Sequence, residues 1–597
     1  MNPYKKKRQK RKFRKLWFFC IPMMLLATLA ILLFMRGWSD TALFREKIAM
    51  LRQEVLTEAI QQELDTSPAG KAGQAVFLSV SDGTERAKVW IGTGKTLDLA
   101  WKNAEKQATA ALHRSGMNPI WVKADVIQTT SAVSADDLTL SLQEAQSGYF
   151  RYGVAFDPSF QTALLEAELN GVGIYDYKTD RIDLEVLNNY LIETGRQTLN
   201  TLPEEYYLFQ CMAWLCDEKE DVYRLNSSGY GYGCRQTEEG LSKEEAQSLI
   251  IGGSNFLAEQ VQEDGSFIYG YKPRTATVIN NYNMLRHAGS VWSMLCAYRL
   301  TPDTKLAESI RSAIGYLEQQ LRYDKAGRAY LYEEKSDEIK LGGCGLAIIA
   351  LTEYMDVFQN KDYLDVCKSL GEGILTMLDE QTGSYYHVLN SDFSRKEEYR
   401  TVYYDGEATF ALVRLYGLTG DSKWLDAAVS AVNHFIAADY TQYRDHWVSY
   451  SMNEITKYLP DRKEYYVFGL ENAEKNMEKI RNRETTGPTD FELLMTTFEL
   501  YQRMLENGEA ADSFDLATFL QVVDERAERQ RIACFYPEMA MYMKNPQQIL
   551  SAFMARDRNF RVRIDDVQHS IGGIYLYYKN YDKLTHCKAP KIDGTVA

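Results

Sequence analysis

Acidic and histidine side chains recur at the starts of several helix-forming segments in the second half of this 597-residue chain. Asp405 and Glu407 open one segment, Asp445 and His446 open the next, and His569 lies near the start of the last. A protonated carboxyl group can donate a proton and an ionised one can accept it, so these groups suit general acid–base chemistry once they are brought together. We predict Asp405, Glu407, Asp445 and His446 as catalytic residues.

Other residues at the same helix edges are suited to binding a substrate. The predicted binding residues carry a guanidinium group, an imidazole ring or an aromatic face: Arg286, His287, Tyr404, Trp447, Tyr450 and His569. A guanidinium group holds a carboxylate through two parallel hydrogen bonds. Plainer interpretations stay open, since Asp405 and Asp445 can cap helices, His287 can be a packing histidine and the tyrosines can belong to the core. No metal and no cofactor is predicted.

These residues meet only if the helices that carry them form a ring. From about residue 241, apolar residues recur every three to four positions in paired segments that short polar turns separate. The predicted helices are 243–262, 284–299, 304–321, 342–357, 361–378, 404–417, 421–438, 446–458, 462–481, 488–506, 514–533 and 567–580.

The ends of this array predict that it closes. Leu249–Leu257 is apolar with no partner before it, and Ser570–Tyr578 is apolar with no partner after it. Pairing the two segments gives six hairpins, so we predict a mainly α fold, an (α/α)6 toroid over 241–590. The first helix of each hairpin is richer in Gly, Ala, Ser and aromatic residues, and we expect it to line the centre.

The N-terminal residues predict a membrane anchor. A basic tail, 1–16, precedes Trp17–Met35, which carries no charge. These 19 residues would span about 28 Å as a helix, close to the ~30 Å hydrocarbon core. A cleaved signal peptide is the alternative, but the run is longer than such an apolar region and lacks a small-x-small site. Basic residues before the segment predict a cytoplasmic N-terminus. We therefore expect a single-pass protein of the cytoplasmic membrane with its bulk outside the cytoplasm.

Three further regions are predicted between the anchor and the toroid. Residues 36–73 form a helical connector that ends in a hinge rich in Gly and Ala. Residues 74–175 alternate strand-like and helical patterns, which predicts a small α+β accessory domain. Residues 176–240 are predicted as a connector.

The distribution of charge excludes several function classes. Residues 5–15 contain nine Lys and Arg, so the net charge of −14 becomes −23 once those nine charges are set aside. An acidic protein surface disfavours binding to nucleic acid, which depends on neutralising phosphates. No phosphate-binding G-x-x-x-x-G-K-[ST] motif occurs.

Two helix edges and one turn carry a family resemblance. The runs Asn283–Ser290, Tyr404–Ala408 and Leu418–Asp421, with the hairpin layout, resemble the six-hairpin glycosidase superfamily. That superfamily includes unsaturated glucuronyl hydrolases, glucuronyl C5-epimerases and N-acylglucosamine 2-epimerase-like proteins. The resemblance implies carbohydrate chemistry in a cleft at one end of the toroid. It matches no complete catalytic motif of one family.

We therefore expect a carbohydrate-active enzyme that processes a cell-envelope or exported polysaccharide. Glycoside hydrolysis uses two carboxyl groups, and we assign these to Asp405 or Glu407 on one side and Asp445 on the other. If Arg286 holds a uronate, a uronyl C5-epimerase or lyase becomes the alternative. A non-catalytic polysaccharide-binding or export scaffold is the other alternative. The expected partners are a polysaccharide or oligosaccharide, the cytoplasmic membrane through Trp17–Met35, and a polysaccharide synthase or export complex.

Overall fold

A computed structural model describes residues 41–57, 73–144, 149–176, 181–237, 239–509 and 514–588. The chain divides into two compact units. Unit 1 contains the described parts of 1–146, 150–236 and 537–547, and unit 2 contains those of 147–149, 237–536 and 548–597.

Unit 1 is built on one antiparallel sheet. Its strands lie in the order β2-β1-β3-β8-β4-β5, and β9 pairs with β8. The strands are β1 Gln74–Ser81, β2 Lys88–Gly94, β3 Trp121–Ser134, β4 Gly153–Ala155, β5 Ala163–Leu164, β8 Glu205–Cys216 and β9 Val222–Arg224. A separate pair consists of β6 Tyr175–Asp176 and β7 Arg181–Ile182. The long strand β8 falls within 176–240 and pairs with β3 and β4, so this segment contributes to the centre of the sheet.

Helices complete unit 1. They are α1 41–57, α2 Leu97–Ser115, α3 Ala135–Glu144, α4 Glu166–Val172 and α5 Leu184–Glu193. One core forms where apolar residues of α1 and α2, such as Phe44, Leu51 and Trp101, pack with Leu78 and Val122 of the sheet. The apolar stripe of α2, with its 3.6-residue repeat, therefore packs against the apolar face of the sheet, to which the strands contribute alternate residues.

Unit 2 is helical. Its helices are α6 Lys243–Gln260, α7 Met284–Leu300, α8 Thr304–Gln319, α9 Leu341–Val357, α10 Leu364–Leu375, α11 Tyr403–Thr419, α12 Ser422–Ala437, α13 His446–Ile455, α14 Lys463–Glu474, α15 Met477–Asn482, α16 Pro488–Glu506, α17 Leu516–Arg531 and α19 Ile564–Lys588; the short α18, Pro537–Ala540, belongs to unit 1.

Six of these helices close a ring. Helix α7 packs on α9, α9 on α11, α11 on α13, α13 on α16, α16 on α19, and α19 returns to α7. Most of their residues are buried; in α9, for example, every residue from Leu341 to Met355 is buried. A helix without a polar face must be covered on all sides. The predicted (α/α)6 toroid and its inner helices are therefore confirmed.

The outer helices differ from the inner ones because only one of their faces is buried. In α8, the buried positions Leu306, Ile310, Ala313 and Leu317 follow the helical repeat. The predicted helix 462–481 is two helices, because the chain breaks at Asn476, whose amide donates to the Thr441 carbonyl over 2.7 Å.

Short strands precede several inner helices and fix their N-terminal ends. Strands β10 Gly270–Lys272, β11 Thr277–Val278 and β17 Val562–Arg563 form one small sheet before α7 and α19. A second sheet precedes α9 and α11 and contains β12 Leu321–Tyr323, β13 Ala329–Glu333, β14 Glu338–Lys340, β15 Val388–Asn390 and β16 Arg395–Glu397. Outer and inner helices alternate along the chain, so the inner helices run in one direction and their N-terminal ends share one mouth.

The predicted single-pass membrane localisation is corrected. Among the described residues, no helix combines the length and the apolar character needed to cross a bilayer. The predicted anchor, Trp17–Met35, and the basic tail before it lie outside the described residues.

Candidate functional site

Two histidines and a glutamate from three inner helices meet at the N-terminal mouth. His446 opens α13, Glu492 lies in the first turns of α16, and His569 lies in the first turns of α19. Nδ1–H of His569 donates to Oε2 of Glu492 over 2.7 Å, and Nε2 of His446 lies 3.6 Å from the same oxygen. The two imidazole rings are 5.1 Å apart, edge to face. We call these three residues the histidine–glutamate cluster.

The environment pushes the two imidazoles in opposite directions. Burial and the neighbouring His569 hold the pKa of His446 well below its usual value. Burial also disfavours the charged form of His569, but Glu492 and the more distant Asp565 outweigh it and raise the pKa of His569. These shifts favour the neutral form of His446 and the charged form of His569, which is the division expected of a base and an acid.

The surroundings hold Glu492 in place. The Tyr450 hydroxyl donates to Oε1 of Glu492 over 3.1 Å. Gly572 of α19 provides the space, because a Cβ at this position would lie 2.4 Å from Oε1. Both oxygens of Glu492 are thus oriented by neighbouring inner helices.

Unmet hydrogen-bonding capacity marks the cluster as a site for a ligand. Neither ring nitrogen of His446 has a hydrogen-bond partner, and one oxygen each of Glu407 and Asp445 lacks one as well. These three residues are at most 3% exposed. Buried polar groups are nearly always satisfied, so these four atoms are candidates for contacts with a polar ligand.

Burial favours the protonated form of both Glu407 and Asp445. Burial raises the pKa of Glu407 well above its usual range, and the nearby Asp445 and Asp405 add to it. Burial likewise raises the pKa of Asp445, although its other oxygen accepts the Trp447 backbone N–H over 2.9 Å. That hydrogen bond makes Asp445 the cap of α13, in agreement with the plainer interpretation of this residue. The raised pKa values favour proton donation by both groups.

Asp405 is occupied by the protein. It does not cap its helix, since the cap position is Val402. His387 contacts Oδ1 of Asp405 over 2.8 Å, and the Tyr440 hydroxyl donates to Oδ2 over 2.9 Å. The backbone N–H of Arg400 donates to Nδ1 of His387 over 2.9 Å, so the ring carries its proton on Nε2 and donates it to Asp405. This arrangement anchors the start of α11.

Arg286 lies at the rim of the mouth with a partner of its own. Its Nε donates to Asp565 over 2.8 Å, and Arg563 contacts the same carboxylate. A matching group lies near Tyr403, where Arg444 and Arg483 contact Asp490 over 3.0 and 2.8 Å. Two arginines share one aspartate in each group, so each leaves one positive charge uncompensated.

The predicted binding residue His287 belongs to the core. His287 is fully buried, and both nitrogens are used, Nδ1 by the Tyr282 hydroxyl and Nε2 by the Ala313 carbonyl, each over 2.8 Å. Burial lowers its pKa to about 4, so it is a neutral packing histidine that has no nitrogen to offer a substrate.

Two predicted aromatic residues, Tyr404 and Trp447, are buried beside predicted catalytic residues. Tyr404 and Trp447 are 7% and 1% exposed. Tyr404 lies beside Glu407, and burial together with that carboxyl raises its pKa. Trp447 packs on His446, with ring centroids 4.9 Å apart. Tyr403, which was not among the predicted site residues, is 42% exposed and lies 5.8 Å from the His446 ring.

Sequence reasoning missed Glu492, His387 and Tyr440. Glu492 had a usable signal, because Pro488 marks the start of α16 and Glu492 follows one turn later. His387 lies in a loop directly before β15, and Tyr440 lies in a short 3-10 turn, where no periodic pattern operates. Their roles depend on contacts between distant segments.

The histidine–glutamate cluster is also the arrangement in the described residues closest to a metal site, since its ligand atoms lie within 4.8 Å of one another. Two ligands of a tetrahedral zinc ion lie about 3.3 Å apart at bond lengths near 2.0–2.1 Å. The 2.7 Å contact between His569 and Glu492 is instead a charged hydrogen bond. The geometry therefore favours proton transfer over metal binding.

No protein-family model and no curated protein sequence matches this chain. Solved structures similar to it include a cellobiose 2-epimerase from Bacillus thermoamylovorans (14% identity, TM-score 0.43, covering 56% of this chain and 99% of that one). A family 76 glycoside hydrolase from Bacteroides thetaiotaomicron is 10% identical, with a TM-score of 0.41, over 78% of this chain and 97% of that one.

An unsaturated glucuronyl hydrolase from Streptococcus agalactiae is 12% identical, with a TM-score of 0.41, over 57% of this chain and 94% of that one. These similar structures are members of the six-hairpin glycosidase superfamily that the sequence resembles. They are glycoside hydrolases and sugar epimerases, and their similarity to this chain is one of fold.

Proposed function

We propose that the toroid is a sugar epimerase or isomerase that moves a proton to and from a carbon next to a carbonyl group. The observation that carries the proposal is the pair of buried imidazoles on a single oxygen of Glu492, whose pKa values are shifted in opposite directions. His446 acts as the base and His569 as the acid. Glu492 keeps them in these two states.

This reaction suits the groups that are present better than the predicted hydrolysis does. Hydrolysis by paired carboxyl groups requires one ionised member. Glu407 and Asp445 both have raised pKa values, and Asp405 is held by His387 and Tyr440. The imidazole of His446, which burial keeps in its neutral form, is the base that remains.

The steps balance with these residues alone. The base takes the hydrogen from the carbon next to the carbonyl, the carbonyl oxygen gains a proton from an acid, and an enediol forms. To form the epimer, an acid adds a proton to the opposite face of the same carbon, and the hydroxyl on the original carbonyl carbon gives its proton back as the carbonyl group re-forms. To form the isomer, the proton is added to the original carbonyl carbon, and the neighbouring enediol hydroxyl gives up its proton so that the carbonyl group forms there. The protonated Glu407 is a second donor for the oxygen.

A sugar as the substrate is supported by the sequence resemblance and by Tyr403, whose exposed ring beside His446 offers a stacking face. The uncompensated arginines at the rim favour a sugar that carries an acidic group.

Exchange of hydrogen with solvent tests the proposal. The full chain is incubated in D2O with reducing sugars, among them D-mannose, cellobiose and D-glucuronate, and the products are followed by NMR. We expect deuterium at the carbon next to the carbonyl, with the rate falling at least about 100-fold in His446→Gln and His569→Gln. His586→Gln, an exposed histidine on the same helix α19, is the matched control and should exchange normally.

Absence of deuterium in every sugar, or exchange that both histidine substitutions leave unchanged, overturns the proposal. Glycoside hydrolysis is the second candidate, favoured by the protonated and unpartnered Glu407. It would appear as new reducing ends without deuterium at carbon, and Glu407→Gln would abolish it while His569→Gln would only weaken it.

A further inference from the structure

A cavity of about 360 Å³ lies at the other end of the toroid axis. Residues from the central and C-terminal parts of all six inner helices line it, among them Trp292, Glu353, Phe410, Asn453, Glu499 and Tyr575. We call it the C-terminal mouth. Its volume lies within the range of sites that bind small molecules.

The charged groups of the C-terminal mouth balance. Four basic and four acidic side chains line it. Glu353 accepts from Arg299 over 2.5 Å and from Arg414 over 2.9 Å. Lys457 and Lys579 pair with Glu454 and Glu499 over 2.5 and 3.2 Å. An ionic ligand would therefore find no unmatched charge, unlike at the rim of the opposite mouth.

The same side chains retain hydrogen-bonding capacity. A guanidinium group has five N–H donors and an ammonium group three, while each carboxylate accepts several hydrogen bonds. Lys457 and Lys579 are 44% and 46% exposed, so their free donors face solvent. Donors and acceptors line the same wall, which matches hydroxyl groups, since each hydroxyl both donates and accepts.

The base of the C-terminal mouth is aromatic. Trp292, Phe410 and Tyr450 pack together, with ring centroids 5.3–6.2 Å apart. Tyr575 adds a half-buried ring to the wall. Aromatic rings together with hydrogen-bond donors and acceptors in one cavity suit a molecule with one apolar face and many hydroxyls.

We infer that the C-terminal mouth is a second binding site and that its ligand is an uncharged sugar. Binding here requires no reaction at the N-terminal mouth, so it can be measured in a chain whose histidine–glutamate cluster is disabled. Failure of this binding test would therefore leave the proposed epimerase activity untouched, and the reverse also holds.

The test uses the full chain with His446→Gln and 5-fluorotryptophan, whose Trp292 resonance is assigned by Trp292→Phe. D-glucose, D-mannose and D-galactose are titrated and followed by ¹⁹F NMR, with D-glucuronate as the charged probe of similar size. We expect at least one uncharged sugar to shift the Trp292 resonance with saturation, and D-glucuronate to bind at least about tenfold more weakly.

Substitutions in the wall identify the site. Lys457→Met with Lys579→Met removes the exposed donors but keeps the aliphatic stems, and we expect the affinity for the sugar to fall at least about tenfold. Lys463→Met, 70% exposed on the outer helix α14, is the control and should bind like the parent. The inference is overturned if none of the three sugars shifts the resonance, or if the wall substitutions leave the affinity unchanged.

Discussion

His569 donates a hydrogen bond to Glu492 over 2.7 Å, and this carboxylate raises the pKa of the buried imidazole. The contact joins two inner helices that are neighbours in the ring but whose residues are 77 positions apart in sequence. It therefore sets both the protonation state of the site and the register of α16 against α19.

The activity should follow a bell-shaped pH profile. The acid limb reports protonation of His446, whose pKa is lowered, and the alkaline limb reports loss of the proton from His569, whose pKa is raised. Glu492→Gln removes the charge that raises the pKa of His569, so the alkaline limb should move to lower pH by about one unit or more. Rates of exchange in D2O buffers give the profile. An unmoved alkaline limb in Glu492→Gln would contradict this assignment.

Glu407→Gln should change the pH dependence of stability. The folded-state pKa of Glu407 is raised, so its contribution is fully present below the unfolded pKa and is lost as the pH rises towards the folded value. The variant avoids this loss, which is about 1.4 kcal/mol for every pH unit that separates the folded pKa from the unfolded one. Compared with the parent, its melting temperature should rise between pH 5 and pH 8. Glu380→Gln, exposed in the turn after α10, should show no such trend.

Two adjacent glycines in α9 provide a matched steric test. A Cβ at Gly342 would lie 1.8 Å from Oε2 of Glu407 and 2.6 Å from Cδ1 of Tyr404, whereas a Cβ at Gly343 meets nothing closer than 3.6 Å. Gly342→Ala should therefore displace Glu407 and lower the exchange rate at least about tenfold. Gly343→Ala should keep the activity and gain up to about 1 kcal/mol from helix propensity. Equal activity of the two variants would show that the position of Glu407 does not matter.

The rim arginines should select for acidic sugars. Arg444 and Arg483 share Asp490, so removing one arginine removes the uncompensated charge without leaving the aspartate unpaired. We expect Arg444→Gln to weaken inhibition by D-glucuronate about three- to tenfold and to leave inhibition by D-glucose within twofold. The effect should shrink at high salt, because these side chains are partly exposed. Arg462→Gln, at an exposed turn, is the control. If Arg444→Gln changes inhibition by D-glucose and by D-glucuronate to the same extent, the rim arginines do not select for a charged sugar.

The sequence predicted the ring because apolar periodicity is a local property. Each hairpin shows its own 3.6-residue repeat, and small residues such as Gly342 identify the crowded inner helices. The helix edges then placed His446 and His569 at one mouth. The contacts that the sequence did not predict join residues far apart in the chain. Asp565 lies 279 positions from Arg286, and no local pattern indicates such a pair. Charge states are hidden for the same reason, since only the fold shows that Glu407 and Asp445 are both desolvated.

The aromatic layer across the toroid axis also limits how a long substrate can approach. Trp292, Phe410, Trp447 and Tyr450 come from three inner helices, are at most 7% exposed, and leave ring centroids 5.3–6.4 Å apart. A polysaccharide strand cannot thread between rings at these separations. The aromatic layer therefore closes the axis between the two mouths, and the toroid is not a tunnel.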